Sequence, residues 1–103
     1  MARSKWTRRD LLVSLAAYFS LEPEIRKNPP KEFVAELAKV LGRSEGSTAL
    51  RLANYIARDP EMKRLGVKGM FGGGEHVDDI WAEFIDTGIL DVRKLLGALA
   101  FDA

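Results

Sequence analysis

Apolar residues recur along this chain at the three- and four-residue spacing of helices, and no stretch alternates as a strand would. The pattern predicts a series of short amphipathic helices. Leu11, Leu12, Leu15, Ala16, Tyr18 and Phe19 form a stripe wide enough for one wall of a core, so a first helix is expected from Thr7, a good N-cap, to about Ser20. Trp6 can pack on Leu11 as a hydrophobic staple, and Asp10 falls where the helix dipole favours an acid. Leu21 to Pro30 reads as a connection, because Pro23, Pro29 and Pro30 interrupt it.

Residues 32–58 give the strongest signal. Phe33, Leu37, Val40 and Leu41 repeat at helical spacing, Gly42 supplies a left-handed stop, and Ser44 can cap a second helix beginning at Glu45. This is a helix-turn-helix pattern. Ala38 permits a close helix crossing four residues before the turn glycine. In the second helix Ala49, Leu52, Ala53 and Ile56 share one side, with Leu50 and Tyr55 flanking. The other side carries Ser47, Arg51, Asn54 and Arg58, at spacings that place all four on one face. Asp59-Pro60 starts a short helix ending near Leu65, Gly66 to Gly74 is a flexible loop, and residues 75–86 form a helix burying Ile80, Trp81, Phe84 and Ile85. A last helix is expected over residues 89–103, carrying Leu95, Leu96 and Leu99. The fold class predicted is therefore all-α: a compact multi-helix domain with a central helix-turn-helix, residues 1–103 as one unit, and residues 1–5 flexible.

Composition narrows the possibilities. The 103 residues, 47% of them apolar, suffice for one small core and not for two. The absence of cysteine excludes disulfides, thiolate metal sites and a cysteine nucleophile. No run approaches membrane-spanning length and the amino terminus lacks a signal-peptide core, so a soluble, cytoplasmic protein with no membrane partner is expected. The net charge of +1 conceals an asymmetry. Residues 1–68 hold 14 Lys/Arg against 8 Asp/Glu, a net of +6, whereas residues 69–103 hold 2 against 7, a net of −5. Binding to a polyanion depends on the local basic face, so the total charge does not argue against DNA.

The polar stripe suits a helix laid in a major groove, since arginine can fork onto guanine, asparagine can pair with adenine, and serine can hold phosphate. Arg43 in the turn and the helix start at Ser44 would meet the DNA backbone. Arg8 and Arg9 lie in the first turn of the first helix, where the dipole disfavours cations, so they are candidate phosphate contacts. Gly46 disagrees with a well-formed recognition helix, costing roughly 1 kcal/mol relative to alanine. Other chemistry is less complete. Glu75, His76, Asp79 and Glu83 read as a solvated acidic face rather than a metal site, Gly72-Gly73-Gly74 lacks the Lys-Ser/Thr of a phosphate loop, and one histidine offers no nucleophile-base pair. No catalytic set, metal or cofactor is expected.

Two resemblances meet here. Trp6 opening a first helix, a second helix and then LGRSEGSTALRL resembles the tri-helical Myb or SANT arrangement, whose third helix reads the major groove. WTRRDLLVSLAAYF, NPP, ELAKVLGRSEGSTALRLANYIARDP, GVKGM and DDIWAEF, in that order over residues 6–86, resemble the helical amino-terminal domain found ahead of HNH-type nucleases in bacterial restriction proteins. That resemblance implies a DNA-binding specificity module, in some relatives one that recognises modified DNA such as methylated cytosine. The nuclease is not implied for this chain, because its single histidine, His76, cannot supply the paired histidines of an HNH site. The expected partner is double-stranded DNA. Residues 89–103 read as a helix that folds back on the core or, ending in LLGALAFDA, meets a second copy or a downstream nuclease domain. The rival expectation is a helical protein-interaction or oligomerisation module that binds no DNA.

Overall fold

A computed structural model describes residues 5–84 as an all-helical domain. The helices are α1 (Arg8–Ser20), α2 (Pro23–Arg26), α3 (Lys31–Leu41), α4 (Glu45–Arg58), α5 (Pro60–Arg64) and α6 (Gly74–Phe84). None of them is long and apolar enough to cross a membrane. The expected helix over residues 89–103, and Ile85 with it, lie outside the described residues.

Local signals set most of the boundaries. Thr7 and Asp10 form a reciprocal capping box at the start of α1, Ser44 accepts the Ser47 amide at the start of α4, and Asp59 accepts the Glu61 amide at the start of α5. Gly42 closes α3 in the left-handed conformation at φ 68°. The single turn α2 was not anticipated. It begins with proline at its first position, but four residues are too few to show a helical period.

Helices α1, α3 and α4 each pack on the other two, giving a three-helix core, and α6 closes the open side of α1. Leu12, Leu15, Tyr18, Tyr55, Met62 and Val77 are wholly enclosed. Four rings run through the middle: Tyr18 lies 5.7 Å from Tyr55, Tyr55 6.3 Å from Trp81, Trp81 5.8 Å from Phe19, and Phe19 4.9 Å from Tyr18. Their hydroxyls are matched inside the core. Tyr55 shares a 2.7 Å hydrogen bond with Ser14 and donates to the Leu11 carbonyl, and Tyr18 donates to Asp59 at 2.7 Å. Burial pushes the Tyr55 phenol up to about 12, against which Ser14 acts only partly, so it stays a neutral donor.

Two faces differ from expectation. Val40, placed in the buried stripe of α3, is 73% exposed, and Ala38 takes its place against the core. In α4 the buried residues are Thr48, Leu52, Asn54, Tyr55 and Ile56, while Ala49 and Leu50 face outward. The buried face is thus rotated toward the polar stripe. The reason is the segment 67–73, which lies along α4: the Met70 amide donates to the Ala53 carbonyl at 3.1 Å, and Gly69 sits so close that a β-carbon would meet the Ala53 oxygen at 2.6 Å and the Ala57 nitrogen at 2.7 Å. Gly69 also has φ 64°, so glycine is required twice over. Ala53 and Ala57 are small because this loop crosses them.

Candidate nucleic-acid interface

The side chains of the α4 stripe are drawn inward by this loop and by α6. Asn54 is 2% exposed, and its amide donates to the Met70 carbonyl at 2.7 Å while its oxygen accepts from Arg51 at 3.0 Å. The Arg58 side chain, 7% exposed, holds Asp78 through Nε and Nη2 at 2.9 and 2.8 Å, donates to the Asn54 carbonyl, and lies 4.8 Å from the Phe71 ring. Ser47 accepts from the Trp6 indole at 3.3 Å. These contacts correct the expectation of an outward reading face. The surface that α4 does turn outward carries Glu45, Gly46, Ala49 and Leu50, which offer no donor suited to a base edge.

Arg43, expected as a backbone anchor, is also engaged. Its side chain is 4% exposed, pairs with Asp10 at 2.8 Å, donates to the Lys5 carbonyl and lies 4.7 Å from the Trp6 ring. Burial pushes the Asp10 carboxyl up, but the Thr7 amide, the Arg43 guanidinium and the Thr7 hydroxyl outweigh it and hold the group below its usual value. The pair ties the start of α1 to the α3–α4 turn. Ser44 is exposed and spends its hydroxyl on the cap. Arg8 is half exposed, paired with Glu83 at 2.9 Å and 5.9 Å from the Phe84 ring, whereas Arg9 is exposed with no ion pair among the described residues.

Arg51 stands apart. It lies 4.7 Å from the Trp6 ring, has no carboxylate partner among the described residues, and carries in Nε the one buried side-chain polar atom among them without a hydrogen bond. Burial, with the neighbouring charges of Arg43 and Arg58, lowers the pKa of its guanidinium despite an opposing contribution from Tyr55. The remaining surface around it is a cavity of about 200 Å³ lined by Lys5, Trp6, Leu11, Arg51, Gly73, His76 and Val77. No carboxylate lines it. A second, wider cleft of about 740 Å³ shares Trp6, Leu11 and His76 and is bordered by Arg8, Asp79 and Glu83.

Comparison with protein-family models, curated proteins and solved structures returned no match. Of the residues singled out by sequence, the structure brings Arg51 to an open cavity and leaves Arg9 on the surface. Lys5, Trp6 and His76 were not foreseen as neighbours of Arg51. Trp6 and Lys5 precede the first helix, and His76 follows a glycine run, so only the tertiary fold brings them together. The cavity can accept an anion: it is lined by a lysine, a partly matched guanidinium and a histidine against an aromatic wall, with no carboxylate among its described lining residues.

Proposed function

We propose that this domain binds duplex DNA through the phosphate backbone at the cavity between the starts of α1 and α6, with Arg51 and Lys5 as the cations lining it and Arg9, exposed on α1, as a third phosphate contact. The observation that carries this reading is the partly buried Arg51 guanidinium, which has no carboxylate partner among the described residues, leaves its Nε without a hydrogen bond and adjoins a cavity lined by Lys5 and His76. Burying part of a cation without an acid is unfavourable unless an anion arrives to match it. A phosphate is the anion that the resemblance to restriction-associated DNA-binding domains supplies. Reading of base edges or of modified cytosine through Asn54 and Arg58 would require the 67–73 segment to leave α4, and through Ser47 would require Trp6 to release it. Contact through the backbone requires no such change.

A labelled duplex titrated at several salt concentrations tests the reading. Three phosphate contacts predict a slope of log K against log[salt] of about −2.7, or roughly a 40-fold loss of affinity between about 50 and 200 mM salt. No binding at the lowest salt, to methylated or unmethylated duplex, would refute it.

A further inference from the structure

Phe71 is 78% exposed and Met70 58% exposed, the largest apolar side chains so displayed near the α4 face. They do not hang from a loose loop. The Met70 backbone is held at both polar groups, its amide by the Ala53 carbonyl at 3.1 Å and its carbonyl by Asn54 at 2.7 Å, and Gly69 beside it rests on the α4 backbone. Arg58, itself fixed by Asp78, supports the Phe71 ring from 4.8 Å. The buried polar stripe of α4 is therefore a clamp, and what it presents is a pair of exposed apolar side chains. Lys63 and Lys68 border the same end of α4, exposed and with no acidic partner among the described residues. The acids nearby are Asp78, paired with Arg58, and Asp79. The clamp also continues into the anion cavity, because Asn54 bonds both Met70 and Arg51.

On the reading that this domain binds duplex DNA, we infer that Met70 and Phe71 form a wedge that leans into a base step while Lys63 and Lys68 hold the flanking phosphates. Apolar side chains that partly unstack a step are a recurrent means of gripping and bending DNA, and pyrimidine-purine steps yield most easily. The flanking lysines and the direct link to Arg51 favour DNA over a protein partner at this patch.

The test uses the full chain and a duplex carrying 2-aminopurine at several TA steps, with end labels for energy transfer. Wild type is expected to raise 2-aminopurine fluorescence and shorten the end-to-end distance. Phe71→Ala should lose both signals and bind roughly 10-fold more weakly with an unchanged salt slope, since a stacking contact and no charge is removed. Lys68→Ala should instead flatten the slope. Duplex binding by wild type with no unstacking, and equal affinity in Phe71→Ala, would overturn the wedge and leave the backbone reading standing; no duplex binding at all would remove both. Self-association that light scattering shows to be lost in Phe71→Ala would assign the patch to a second copy and overturn the wedge.

Discussion

Two arginines packed against aromatic rings, one at each end of the core, make opposite use of their charge. Arg26, in α2, is 7% exposed and fully matched: it pairs with Asp59 at 3.0 Å and Glu61 at 3.4 Å, donates twice to the Leu21 carbonyl, and lies 5.3 and 4.9 Å from the Tyr18 and Phe19 rings. Arg51 has the ring and one amide but no acid among the described residues, and its Nε is unmatched. A buried cation with its acid is a structural joint, and breaking it leaves a charge stranded. A partly buried cation without one keeps its charge available to a ligand, even where, as in Arg51, the side chain also holds the Asn54 oxygen and stacks on Trp6. The same residue type and the same stacking thus mark architecture in one place and a candidate site in the other.

The comparison can be broken first at the Arg26 end. Asp59→Ala should cost about 3–5 kcal/mol in denaturant unfolding, because it strands Arg26, removes the acceptor for Tyr18 and uncaps α5; a loss under 1 kcal/mol would show that this pair is not a structural joint. Next is the clamp beside Arg51. Asn54→Ala should cost about 1–3 kcal/mol by leaving the Met70 carbonyl without its donor, and hydrogen exchange should rise at Met70 and the residues around it before any other described segment. The smallest effect is expected where α4 faces solvent. Gly46 has open space around it, so Gly46→Ala should raise stability by up to about 1 kcal/mol and leave duplex affinity unaltered. Weakened binding in that variant would mean that the start of α4 approaches the duplex after all.

Five of the six helices of residues 5–84 are legible in the sequence because their signals are local. Thr7 with Asp10, Gly42 with Ser44, and Asp59 with Pro60 act within a few residues, and each ends or begins a helix where the structure has it. The facing of α4 was not legible in the same way. Alanines at 49 and 53 read as core, yet 49 is exposed and 53 lies under the glycine loop, and Arg51, Asn54 and Arg58 read as surface although that loop and α6 cover them. Amphipathic periodicity fixes which residues share a face. It does not say whether a polar face meets water or a loop carrying its own backbone donors and acceptors. The one available clue was Met70-Phe71 between glycines in GVKGMFGGG, an apolar pair where a solvated linker would carry polar residues.

On the function proposed above, the Arg51 charge is kept for a phosphate of DNA. This is tested most directly by comparing Arg51→Met with wild type in duplex anisotropy across about 50 to 200 mM salt, alongside unfolding of both proteins. Losing one phosphate contact should reduce the salt slope by about 0.9 and weaken binding roughly 10-fold, with a loss of stability no larger than that of Asn54→Ala, from the Asn54 oxygen left without its donor. An unchanged slope and affinity, or a loss of stability as large as that of Asp59→Ala, would contradict it.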